Sequence, residues 1–245
     1  MMKNNLSKVS IFSVLISLLG LSSVFAQTRV SSIRPELLKK VTKQAPSPEL
    51  SILNSPYASW GVMPQENSSI NLVNAWKKFS KKQDVVVAVI DTGIDPNHPF
   101  LKSNLKGAKG NASSSDYGKD FSKSATNEYQ PIDQHGHGTH VSGIIKSVFP
   151  GVKILSLKYY NPRASGQDNL DSTIKALRYA VEANVDIINY SGGGPEPAIE
   201  ELRILKEAER KGILVVAAAG NEESNIDIKK NAYYPASYGL SNIIT

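Results

Sequence analysis

Three of the four histidines fall within six residues, His135, His137 and His140, in the stretch Asp133–Gly143, which reads DQHGHGTHVSG. Imidazole is the side chain whose charge changes near neutral pH, so such a cluster can move protons or bind a metal. Gly136 and Gly138 flank His137 and leave room for other groups to approach its ring. Val141, Ile144 and Ile145 then recur at helical spacing, so the stretch reads as a loop entering a helix with His137 near its N-terminus. The dipole there disfavours a positive ring, and proton chemistry at His137 calls for an ionised carboxylate nearby. As a metal site, His135-x-His137 with Asp133 or His140 offers ligands suited to zinc, and a metallohydrolase stays open on these residues.

Other residues able to do chemistry follow apolar runs. Val85–Ile90 (VVVAVI) lacks polar alternation, as in a strand buried on both faces, and it delivers Asp91 in DTGID. Val185–Tyr190 delivers Ser191, Gly192, Gly193, Gly194 and Pro195; Ile213–Ala219 delivers Gly220 and Asn221. Val152–Leu157 and Asn242–Thr245 read as further strands. Helical patterns cover Leu72–Phe79, His137–Val148, Asn169–Ala183 and Ala198–Lys211. Strands alternating with helices predict an α/β fold built on a parallel sheet, and such sheets bind ligands beyond the C-terminal ends of their strands. The Lys102–Gln134 stretch, rich in Ser, Gly, Asn and Lys, reads as a surface excursion. Each signal has a plainer reading. Asp91 can be a turn former, the glycine run a flexible loop, and Asn221 a turn residue. Asp-Thr-Gly also resembles the turn of aspartic proteases, which need two copies on a β-rich fold; here there is one, on an α/β pattern.

Lys3 and Lys8 precede an apolar run from Val9 to Leu21, followed by Val24-Phe25-Ala26, the pattern of a signal peptide cut after Ala26. The expected organisation is a signal peptide at 1–26, an N-terminal arm or short pro-segment at 27–55, and a catalytic-type domain at 56–245. A short helix fits Pro35–Val41, and the aromatics between Trp60 and Trp76 read as packing. A secreted, extracellular or periplasmic product with no membrane anchor after signal removal is expected. The chain has no cysteine, so disulfides, thiolate metal sites and cysteine nucleophiles are excluded. Removing residues 1–26 takes away two lysines and no acids, bringing the net charge from +6 to +4. That is mild, and no basic block points to nucleic acid.

Taken in order, these motifs resemble the subtilisin-like serine proteases from about Pro56 onward. Asp91 in VAVIDTGID is similar to the family's catalytic Asp motif, and His137 in D-x-x-G-H-G-T-H-V-S-G to its catalytic His motif. Ser191, Gly192 and Gly193 fit the segment that lines the substrate cleft, and Asn221 in VVAAAGNE fits the oxyanion-hole Asn. The resemblance implies a three-layer fold, a mainly parallel central sheet with helices on both faces. It further implies polypeptide substrates, no cofactor and a monomer. Asp91 would then hold the His137 ring in one tautomer, His137 would take a proton from a serine, and Asn221 would donate to the oxyanion. Ser191–Gly193 would pair with an extended peptide as an added strand.

The chain departs from the family downstream. The family's nucleophile lies in a Gly-Thr-Ser-Met-Ala motif, and no such motif occurs in these 245 residues. Ser224, Ser237 and Ser241 follow Asn221 outside any nucleophile context. The expectation is a protease represented by its N-terminal part, with the C-terminal part of the fold missing and no activity as written. A non-catalytic peptide-binding relative is the second reading. Phe149-Pro150-Gly151 leads straight into a strand, without the loop that holds calcium in some relatives, so no strong calcium site is expected there. Tyr233 falls where the family forms the floor of its main specificity pocket, which predicts a preference for small side chains.

Overall fold

In a computed structural model of the chain, the structure describes residues 51–64, 69–70, 72–78, 84–123 and 125–245. The signal peptide, the Pro35–Val41 helix, most of the arm and Phe79 lie outside the described residues.

The β-branched run after Asp84 forms β1 (Val86–Asp91), which sits mid-sheet between β5 (Lys153–Lys158) and β6 (Ile187–Tyr190). The sheet runs β4-β5-β1-β6-β7-β8, where β4 is Gly118–Asp120, β7 Leu214–Ala217 and β8 Ile243–Ile244, and every pairing is parallel. The chain builds outward from β1 in both directions, to β5 on one side and β6 on the other. The strand order therefore reverses at the C-terminal end of β1, which leaves a crevice there. Asp91 is the last residue of that strand.

Strand alternation sorts the core into two layers. Val87 and Val89 pack with Val141, Ile145 and Val148 of α2 (His137–Val148) and with Trp76 of α1 (Leu72–Lys78). Ala88 and Ile90 face the other way, onto Leu177 and Ala180 of α3 (Gly166–Glu182) and Leu205 of α4 (Ile199–Arg210). The result is the three-layer α/β arrangement expected, with helices on both faces. Because Asp91 shares the parity of Val87 and Val89, its carboxylate emerges on the α2 side. Sheet alternation thus aims Asp91 at the helix that starts with His137.

Strand bounds shift by one or two residues from the apolar runs, and α3 begins three residues before Asn169. Its start is set by Ser165, whose hydroxyl accepts the Asp168 N–H at 3.1 Å, and not by the apolar pattern. The surface excursion proves partly structural. Residues 102–134 hold the hairpin β2 (Lys106–Gly107) and β3 (Gly110–Asn111), supply edge strand β4, and bury Leu105, Tyr117 and Asp120. These short strands carry too few apolar residues to show a period. Trp76 is buried and donates to the Val148 carbonyl at 2.7 Å, whereas Trp60 is 55% exposed and corrects the packing expectation there. Ile52 and Leu53 are buried in the α2-side core, so packing reaches back into the segment read as an arm. Among the described residues no helix is long and apolar enough to cross a membrane.

Leu177 is fully buried between α3 and the sheet. Leu177→Ala is expected to cost about 2–5 kcal/mol, read as a lowered denaturant midpoint with an unchanged slope.

Candidate functional site

Asp91 and His137, 46 residues apart in sequence, meet where β1 ends and α2 begins: Asp91 Oδ1 lies 2.7 Å from His137 Nδ1. The Asp91 side chain is 3% exposed and the His137 side chain 43%, so the pair has one buried and one open end. Asp91 Oδ1 also accepts the Thr92 N–H at 2.7 Å, while Oδ2 is buried with no partner among the described residues. A carboxylate buried this far is costly unless paired. The imidazole supplies the pairing, and its hydrogen bond to Asp91 holds the His137 pKa above its ordinary 6.5 against the opposing effect of burial. With Nδ1 committed to Asp91, Nε2 is left to exchange protons with a substrate or nucleophile.

A second carboxylate ties the pair together. Asp133 Oδ1 accepts from Thr92 Oγ1 at 2.9 Å, the His135 N–H at 3.0 Å and the Gly136 N–H at 2.8 Å. Its Oδ2 accepts the Thr139 N–H at 2.9 Å and Thr139 Oγ1 at 2.6 Å. Burial would raise this carboxyl, but the hydrogen bonds prevail and bring its pKa to about 2. Thr92 Oγ1 in turn accepts the Gly138 N–H at 2.9 Å. The glycines serve a different purpose from the one their spacing suggested. A Cβ on Gly138 would lie 2.3 Å from the Gly93 carbonyl, so Gly138 lets α2 touch the β1 turn, while Gly136 sits at φ +94° in open space.

The loops after β6 and β7 leave the same edge of the sheet. Gly194 exchanges both backbone hydrogen bonds with Tyr234, at 3.0 and 2.7 Å. Ser191, Gly192 and Gly193 make no backbone–backbone hydrogen bond among the described residues. The Tyr233 ring wedges between the two loops. A Cβ would lie 2.5 Å from it at Gly193 and 3.1 Å from it at Gly220. Asn221 is exposed, and its N–H donates to Glu222 Oε2 at 2.7 Å. Of the later serines, Ser237 Oγ accepts the Tyr233 N–H at 3.0 Å and Ser241 Oγ donates to Glu209 at 2.6 Å, so both hydroxyls are engaged away from His137.

The histidine cluster does not converge on a metal. His137 Nδ1 is taken by Asp91, both Asp133 oxygens are filled by five donors, and the His135 ring lies 6.3 Å from that of His137, edge to face. No group of three or more His, Asp or Glu residues suited to a metal ion occurs among the described residues.

Residues 82–245 match the sequence model of the Subtilase family, Peptidase S8. The chain belongs to this family. The major intracellular serine protease of Bacillus subtilis strain 168 is 36% identical over 185 residues, covering 72% of this chain and 55% of that protein. Subtilisin E of the same strain is 37% identical over 164 residues, covering 63% and 39%. The epidermin leader peptide processing serine protease of Staphylococcus aureus superposes with a TM-score of 0.57 at 22% identity, over 71% of this chain and 48% of that one, which supports the fold. The chain spans about half the length of curated relatives it matches.

Thr92, Asp133 and Thr139 stand inside the motifs read for Asp91 and His137, but no role was read for them, Asp133 having been weighed otherwise only as a metal ligand.

Below the ordinary imidazole value, His137 is protonated in both folded and unfolded subtilase and the pair contributes its full stabilisation. That contribution is lost as pH rises through the raised folded pKa. The denaturation midpoint is therefore expected to fall across this window, above pH 6.5. Asp91→Asn should remove the step; an identical pH profile in that variant would contradict the assignment.

Proposed function

We propose that this subtilase is the Asp–His part of a secreted serine endopeptidase that hydrolyses peptide bonds in polypeptides. The observation that carries the reading is the 2.7 Å hydrogen bond between buried Asp91 and the half-open His137, at the point where the strand order reverses. In this reading His137 Nε2 takes the proton of an attacking serine and returns it to the leaving amine. Asp91 keeps the ring in the Nδ1–H tautomer and balances its charge. Asn221 donates its side-chain amide to the oxyanion. Ser191–Gly193 receive the substrate backbone, their own N–H and C=O groups having no backbone partners among the described residues. The reacting serine is not among the 245 residues, so this chain alone does not turn over peptides. Residues 1–26 direct export and are removed after Ala26.

The test is the intact mass of the natural product together with fluorophosphonate labelling. Labelled protein that begins at Gln27 and is heavier than residues 27–245 supports the reading. An unlabelled product with the mass of residues 27–245 favours a peptide-binding protein without catalysis. In the labelled protein, His137→Ala should lower turnover about 10⁶-fold and Asp91→Ala about 10⁴-fold, magnitudes established in subtilisin itself.

Specificity follows from Tyr233. Its ring fills the gap between the loops after β6 and β7, where a substrate side chain lying along Ser191–Gly193 would enter. Small side chains should be preferred on that side of the scissile bond. Tyr233→Gly should raise kcat/KM for aromatic over alanine substrates by at least tenfold; no change in that ratio would remove Tyr233 from the specificity site.

A further inference from the structure

We propose that Asp133 is a positioning residue for His137: its carboxylate joins the loop bearing the ring to the turn bearing Asp91. The inference rests on reading Asp91 and His137 as the acid–base pair.

The five donors on Asp133 come from three segments. Thr92 lies in the turn after β1, His135 and Gly136 precede the ring, and Thr139 follows it in the first turn of α2. His137 is thus clamped on both sides of its own backbone. Gly136, the residue before α2, offers no side chain to satisfy the helix's first N–H groups; Asp133 takes the Thr139 N–H and Thr92 the Gly138 N–H from outside. Thr92 closes the circuit by accepting the Gly138 N–H while donating to Asp133. A second tie is independent of the carboxylate: the Asp133 N–H bonds the Ile94 carbonyl at 3.1 Å, and the Ile94 N–H bonds the Pro131 carbonyl at 2.8 Å.

All five contacts are N–H or O–H groups pointing at oxygen, so the position needs a group that only accepts. Asparagine would turn two donors toward partners that are donors themselves. The same donors keep Asp133 ionised throughout the range where His137 titrates, and its negative charge adds to that of Asp91 in raising the His137 pKa. The other charged and titratable groups facing the pair are few. The His135 ring stands 6.3 Å from His137, with Tyr160 beyond it at 6.0 Å from His135. Lys158 lies beside Asp91 in the register of β5, but its ammonium bonds the Ile132 carbonyl at 2.7 Å and faces Asp120 at 3.9 Å. Tyr159 bonds the Asp91 backbone carbonyl through its N–H at 3.0 Å, and the Asp91 charge adds to burial in raising its phenol pKa.

The experiment is NMR titration of His137 in the full chain, read on its ring protons and on the exchange rate of the Nδ1 proton, with the amide spectrum reporting the fold. Asp133→Asn is expected to move the His137 midpoint to lower pH and to speed Nδ1 proton exchange. Asp133→Glu, which keeps the charge on a longer arm, should restore the midpoint but not the slow exchange. A native amide spectrum with an unchanged midpoint in Asp133→Asn overturns the charge role. If that variant lacks a native spectrum, Asp133→Glu and Thr139→Val carry the test. Faster Nδ1 exchange in both supports the positioning role; exchange as slow as in the parent overturns it. No peptidase assay enters, so failure here leaves the proposed hydrolysis standing, and a catalytically silent protein leaves this inference standing.

Discussion

The hydrogen bond between Asp91 and His137 is the interaction on which the rest of the structure depends, because it makes a buried carboxylate tolerable. Asp91 sits at the end of a strand with both neighbours paired, and one of its oxygens has no partner among the described residues. Removing a charge from water at such a place is expensive. An imidazole supplies a donor for the carboxylate and gains a higher affinity for protons in return. The pair's asymmetry of exposure then matters chemically. The buried end fixes geometry and charge, and the open end meets whatever arrives from solvent.

Topology supplies the location. A parallel sheet that grows outward from β1 in both directions has connections diverging above β1's C-terminal end, and the space between them is a crevice. β6 lies next to β1 and β7 one strand further, each step about 4.8 Å, so Ser191–Gly194 and Gly220–Asn221 leave the sheet at the same edge as Asp91. Parity decides the face. Had β1 slipped by one residue, Asp91 would point into the α3–α4 layer and its partner would be out of reach.

Much of this was legible in the chain. Apolar runs without alternation locate the central strands, and the residues directly after them mark the site, because the physics of parallel sheets puts ligands there. The His137 helix is readable from Val141, Ile144 and Ile145. The illegible parts share a cause: they depend on contacts that carry no local period. β4 is three residues of Gly-Lys-Asp held by pairing to β5. Ser165 begins α3 with one hydroxyl, and a capping bond leaves no trace in hydrophobicity. The roles of Gly136 and Gly138 could not be separated from sequence either. One is a matter of backbone conformation and the other of a carbonyl arriving from Gly93.

The three clustered histidines show how spacing overstates chemistry. His135, His137 and His140 are close in sequence, yet a helix beginning at His137 sends successive side chains about 100° apart around its axis. His140 lies nearly one turn further along, and His135 stands before the helix, edge-on to His137 and to Tyr160. Among the described residues, only His137 of the three meets a carboxylate from another element. A metal site would need the three to converge on one point, and no such group occurs among the described residues. The carboxylate that could have joined them, Asp133, is spent on backbone N–H groups and two hydroxyls. What reads as a ligand set is one titratable ring, a neighbour that walls one side of it, and an acid that holds the loop in place.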